Sequence, residues 1–267
     1  MKPTPLAKST GLVAFAGLAV FATAAKAQTF NYSDANLLVG FRQTGAANDL
    51  LFNLGPVSGF DWQTGSIKPG TTVTVGDATT VNSAFTSLNN LEWASFAGVK
   101  TSGGSYPVSS LFVTAPGSPS APWLTDFASS QGGTATRINS IGVGGKNYGA
   151  AIPTAVPISG AVLVPAGNAQ AYDTFVKGAG SAANFQGTFQ GNVEVNTGAS
   201  FSAGSKPASA DLYELKPDGL GNNGVLLGTF QLNKTGQMTF TAVPEPNTFA
   251  LIGLGGAIAL VVNRRRA

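Results

Sequence analysis

Residues 36–55 read NLLVGFRQTGAANDLLFNLG. Asn36 to Gln43 and Asp49 to Leu54 are short runs of strand-forming residues, and the TGAAN between them is a turn-forming loop, so the stretch predicts a β-hairpin. Gly55-Pro56 stops the second strand. A hairpin implies antiparallel pairing, and the same signal recurs further along. Thr71 to Val75, Ser110 to Thr114, Phe185 to Val195, Ala210 to Leu215, Val225 to Leu232 and Gln237 to Thr241 all read as strands. Ala155 to Pro165 carries prolines and reads as an irregular or edge strand. Asn233-Lys234-Thr235-Gly236 predicts a second hairpin turn between the last two strands.

Helical spacing is rarer. Val81, Phe85 and Leu88 fall at i, i+4 and i+7 within Asp77 to Asn89, with Asp77, Thr79 or Thr80 as the cap. Pro122 to Ser130 reads as a short helix carrying Trp123, Leu124 and Phe127, and Ala169 to Lys177 as another with Tyr172 and Val176 on one face. Leu91 to Val99 fits neither period, since Trp93 and Phe96 are three apart. Gly132 to Gly149 reads as a glycine-rich surface loop and is the one place where a domain boundary suggests itself. There is no tandem repeat, which speaks against a solenoid. The expected fold is mostly β: an antiparallel, sandwich-like core with two or three short helices, α+β staying open, and hydrophobic helices at both termini.

Charged residues make up 10% of the 267 residues, against the ~25% of an ordinary soluble domain. Glycine is abundant at 35 residues, and 43% of the chain is hydrophobic, which is too much for a disordered polymer. Such a composition fits an extracytoplasmic, turn-rich fold. The formal charge of +3 misleads, because Lys2, Lys8, Lys26 and Arg264 to Arg266 sit at the ends. Residues 28–243 hold 9 basic and 11 acidic side chains, so they lack the basic face that nucleic acid requires. With neither Cys nor His in the chain, thiol chemistry, the usual zinc ligands and the commonest general base are absent.

The ends are the most specific part. Lys2 and Lys8 precede the apolar run Gly11 to Ala25, and Ala25-Lys26-Ala27 forms an A-x-A cleavage site, so 1–27 reads as a signal peptide and the mature chain begins near Gln28. At the other end, Phe249 to Val262 is a run of 14 uncharged, almost wholly apolar residues. It falls short of the ~20 that cross a bilayer unaided. Adding Asn247, Thr248 and Asn263 lengthens it, and Arg264, Arg265 and Arg266 snorkel to the headgroups and stay cytoplasmic. Pro244 and Pro246 flank Glu245 and hold an extended segment just outside the membrane, in the form a protease reads.

This order of Pro244-Glu245-Pro246, short apolar segment and terminal arginine cluster resembles the PEP-CTERM sorting signal of Gram-negative bacteria. The opening LLVGFRQTG…DLLFNLG is similar to exported proteins of the same kind. The resemblance covers about 24 residues of the tail and implies a route: signal peptidase at the N-terminus, transient hold in the inner membrane, and processing by an exosortase-like membrane protease. It implies a final place at the cell surface or in a biofilm matrix, and says nothing of the activity of the exported part. The domain plan expected is signal peptide 1–27, exported β-rich domain 28–243, and sorting signal 244–267 with a membrane segment at 248–263.

Chemical motifs are sparse. Gly142-Val143-Gly144-Gly145-Lys146 lacks the following Ser or Thr and the spacing of a phosphate loop, and reads as flexible loop. There is no G-x-S-x-G elbow. Asp61, Glu92, Asp126, Glu194, Glu214 and Asp218 are scattered, and no stretch has the acidic density of a calcium loop. The leading expectation is a non-enzymatic surface or matrix protein without cofactor or metal, in contact with polysaccharide or with further copies of itself. Two other readings stay open. A secreted carbohydrate-active enzyme requires two converging carboxyls, one with a raised pKa. A carbohydrate-binding module requires exposed rings among Trp62, Trp93 and Trp123 aligned on one face.

Overall fold

The computed structural model describes residues 30–61, 65–101, 105–116, 123–148, 151–152, 160–177, 183–189, 191–202 and 206–243. Both ends, with Ala25, Ala27, Gln28, Pro244 to Pro246 and Arg264 to Arg266, lie outside these residues, as does Trp62. The two terminal hydrophobic helices expected from the sequence therefore lie outside as well. No helix among the described residues is long and apolar enough to cross a membrane.

The hairpin forms as read. Strands β1 (Asn36–Gln43) and β2 (Asn48–Pro56) pair antiparallel, Phe41 opposite Leu50 and Leu38 opposite Asn53. Gly45 supplies the left-handed residue of the turn at φ +83°. The later elements are β3 (Thr72–Gly76), α1 (Ala78–Ala84), β4 (Leu91–Gly98), β5 (Leu111–Pro116), α2 (Ala128–Tyr148), β6 (Ala151–Ile152), β7 (Gly160–Pro165) and α3 (Tyr172–Lys177). Then come β8 (Val195–Asn196), α4 (Thr197–Ser202), β9 (Ala208–Leu215), β10 (Val225–Leu232) and β11 (Met238–Ala242). Asp77 caps α1 by accepting from the Thr80 N–H at 2.9 Å.

One antiparallel sheet takes the place of the expected two-layer sandwich. Its order is β3-β11-β10-β9-β5-β4-β1-β2-β7-β6, with β8 beside β4. The join that makes it continuous is β5 on β9, Leu111 opposite Leu215 through to Pro116 opposite Ala210. The sheet curls into a half-barrel, and aromatic rings close the concave side. Phe60 lies 5.2 Å from Phe240 and 6.3 Å from Phe230, and Phe41 lies 5.8 Å from Phe52. A Cβ placed on Gly76 of β3 would sit 4.0 Å from Phe52 of β2, so strands far apart in the order meet across the interior.

The convex face is covered over only part of its width. Ile138 and Ile141 of α2, Tyr172 and Val176 of α3, and the ring of Phe185 pack on Leu38, Leu51, Phe96, Val113 and Val162. This explains Leu91 to Val99: an odd separation puts Trp93 in the concave core and Phe96 under the helices, so both faces of β4 are apolar and no alternation survives.

Three expectations need correction. The glycine-rich stretch 132–149 is helical through Tyr148 as part of the 21-residue α2, so it is neither a loop nor a boundary, and Gly142 to Lys146 lie on that helix. Its glycines let it sit close: a Cβ on Gly145 would come within 2.7 Å of the Phe30 ring, and one on Gly144 within 2.6 Å of Gln170. Phe185 to Thr188 form a turn, with Phe185 and Gln186 at positive φ, and among the described residues of this stretch strand begins only at Val195, the first residue of Val195–Asn196. In the stretch 122–130, Leu124 and Phe127 make isolated bridges to Asn223 and Asp218, and helix begins only at Ala128.

Candidate functional site

Arg42 is the centre of the strongest charge cluster. It shares the strand face of Leu38 and Gly40, the one the helices cover, yet it is 4% exposed and fully engaged. Its Nε donates to Glu194 Oε1 at 2.8 Å, and a second nitrogen contacts Glu194 Oε2, giving a bidentate fork. Glu92 of the neighbouring β4 lies 2.5 Å away and Asp173 of α3 at 3.3 Å. Glu92 stands opposite Arg42 in the ladder, which places it there. Asp49 of β2 accepts from the Asp173 N–H at 2.8 Å. The ring of Tyr172 covers the adjoining Gly40, where no Cβ fits, and stacks on Phe96 at 5.2 Å.

The electrostatics follow from burial. Desolvation opposes the Arg42 charge, but the hydrogen bonds and charge of Glu194 outweigh it and hold the guanidinium protonated. Burial pushes the Glu194 carboxyl above the usual carboxylate range, against the pull of Arg42. Burial likewise pushes Asp49 up to about 7, only partly offset by the Asp173 N–H.

Two of the scattered carboxylates, Glu92 and Glu194, are thus brought together, and one is raised. The space between them is filled by Arg42, whereas a glycosidase-type pair flanks room for substrate or water. The other carboxylates have structural partners. Asp61 accepts from the Tyr106 hydroxyl at 2.9 Å, Asp218 from Thr125 and Asn222, and Lys216 lies 3.8 Å from Glu214. Among the described residues no group of three or more His, Cys, Asp or Glu is placed to hold a metal ion.

A cavity of about 330 Å³ opens at the far end of β5 and β9. Leu111, Phe189 and Leu215 form its floor, the half-buried indole of Trp123 one wall, and Leu124 and Asp126 its mouth. Trp123 Nε1 donates to the Thr114 carbonyl at 3.1 Å, which fixes the ring beside Phe189 at 5.3 Å. Trp93, by contrast, is 0% exposed in the concave core, so the described tryptophans form no aligned exposed face.

Sequence reasoning missed Arg42. The available signal was its position: a charge two residues beyond Gly40 on a strand apolar on both faces requires a buried partner. The cavity had no linear signal, since its walls come from four distant stretches of chain.

At the C-terminal end of the described residues the pairing is regular. Gly70 N–H donates to the Ala242 carbonyl at 3.0 Å and Val243 N–H to the Leu227 carbonyl at 3.0 Å, one residue before Pro244. From there the chain is recognisable by sequence. Residues 242–266 match the PEP-CTERM protein-sorting motif. No curated protein and no solved structure matches the chain. The chain therefore carries the tail of an exosortase-sorted protein, exported and bound for the cell surface or beyond.

Proposed function

For a chain sorted by its PEP-CTERM tail, we propose that residues 28–243 are a non-enzymatic surface or matrix domain, delivered by two cuts. Signal peptidase acts after Ala27, and an exosortase-like protease acts at Pro244-Glu245-Pro246 while 248–263 and Arg264 to Arg266 hold the chain in the inner membrane. One observation carries this reading. The described sheet runs to Val243, whose N–H donates to the Leu227 carbonyl, and the matched motif follows at once in sequence, so a cut there spares β11 and the strands paired with it. Contact with polysaccharide or with other copies draws support from the convex face of β9, β10, β11 and β3, which no described helix covers. Gln231, Thr239, Thr241, Thr72 and Thr74 present neutral hydrogen-bonding groups there, and Asp211, which accepts from Thr229 at 2.6 Å, adds one charge.

The test compares the wild-type chain with Glu245→Ala in the producing cells, by intact mass and fractionation. The expected wild-type product begins at Gln28, lacks the arginine tail and leaves the inner membrane, while Glu245→Ala stays membrane-held at its unprocessed mass. A surface product that keeps Arg264 to Arg266 would overturn the proposal.

A further inference from the structure

The cavity beneath Trp123 is built to stay open. Thr125 N–H donates to the Asn222 carbonyl at 2.8 Å, Asn222 N–H returns to Thr125 Oγ1 at 2.9 Å, and Gly224 N–H donates to the Trp123 carbonyl at 2.8 Å. These bonds tie the stretch 123–127 to the loop between β9 and β10. The Gln131 side-chain amide spans the Ser109 carbonyl at 3.0 Å and the Asp126 N–H at 3.2 Å. A wall fixed in this way costs little ordering when a ligand enters.

The same bonds use up most of the polar lining. Thr125 and Gln131 are engaged as described, and Thr188 is bonded to the Phe185 carbonyl at 3.1 Å. Among the described residues that line the cavity, the side-chain groups left facing it are the Ser130 hydroxyl and one oxygen of Asp126, the other accepting from Phe127 N–H at 2.7 Å. A sugar ring brings more hydroxyls than these two groups can satisfy, and each one buried unpaired opposes binding. An anion is also unsuited: among the described residues that line the cavity, Asp126 is the only charged one. Leu111, Trp123, Phe189 and Leu215 supply the apolar part of the lining, and apolar surface continues at and beyond the mouth in Leu124, Phe127 and Leu220, exposed by 50%, 63% and 74%.

We propose that this cavity is a binding site for a small cationic amphiphile. Its flat apolar body lies against Trp123 and Phe189 over the Leu111 and Leu215 floor, and its protonated amine meets Asp126 and Ser130 at the mouth. The inference is independent of how the protein is sorted.

Two probes that share an indole and differ in head charge test it, tryptamine and indole-3-propionate, with cellobiose as the neutral sugar. The exported protein purified from its cells is titrated by calorimetry, with saturation-transfer NMR to identify the bound protons. Tryptamine is expected to bind about tenfold more tightly than indole-3-propionate at low salt, with its ring protons saturated, and cellobiose not to bind. Asp126→Asn should reduce that preference to about twofold or less. Ser130→Arg, on an exposed first turn of α2, should reverse it. Unchanged melting temperatures keep both variants interpretable. Equal binding of the two indoles in the wild type, a preference that Asp126→Asn leaves intact, or cellobiose displacing tryptamine would each overturn the proposal.

Discussion

Arg42 satisfies three carboxylates at once, and the group it leaves least compensated is Asp49. Burial pushes that carboxyl from 3.8 up to about 7, so the folded protein keeps a proton that the unfolded chain has already lost. Stability then falls as pH rises from about 4 to about 7 and stays lower above that range, because the unfolded state binds fewer protons throughout it. Asp49→Asn keeps an acceptor for the Asp173 N–H and removes the titration. The expected result in urea denaturation is near-equal stability of variant and wild type at pH 4, and a more stable variant at pH 8, by up to about 4 kcal/mol. Equal loss at both pH values would show that the carboxylate itself is required. None of this was legible residue by residue. Asp49 and Glu194 look like ordinary surface acids in the sequence, and only the pairing of β1 with β2 and β4, and of β4 with β8, gathers them around Arg42.

At the scale of elements, legibility follows the number of buried faces. The hairpin of β10 and β11 was readable to within a residue or so, because its convex side is polar and alternates with Phe230, Leu232, Met238 and Phe240. Strand β4 was not, because it is covered on both sides. Helix α2 was read as a loop because it contains five glycines, each costing up to ~1 kcal/mol of helix propensity. Packing overrides propensity there, since Gly142, Gly144 and Gly145 make room for Tyr32, Gln170 and Phe30. Gly98 of β4 marks the closest approach: a Cβ there would stand 2.7 Å from the Ala135 Cα. Gly98→Ala should therefore cost about 1–3 kcal/mol, because helix backbone, unlike a side-chain tip, cannot step aside. Gly133, on the same helix, meets nothing within 4 Å, so Gly133→Ala should stabilise by up to about 1 kcal/mol. Thermal melts of the two variants should move in opposite directions.

At the scale of the whole molecule, the sorting motif was legible in the sequence and the cavity was not. A sorting signal is linear, read in order by the enzymes that handle it, whereas the cavity and the Arg42 cluster exist only after folding. Because a chain ending at Val243 keeps the whole of β11 and the Val243 bond to Leu227, it should melt within about 2 °C of one that retains residues 244–267, while a chain ending at Gln237 should lose the cooperative transition. The second outcome arises because β11 is an interior strand, held between β10 and β3. This placement governs timing as well as strength. Thr72 on β3 finds its partner Thr241 at a separation of 169 residues, where the two hydroxyls meet at 2.8 Å. In a chain that emerges N-terminus first, β3 therefore lacks its neighbour until nearly all of the residues up to β11 are available, and completing this edge of the sheet is a late, long-range step.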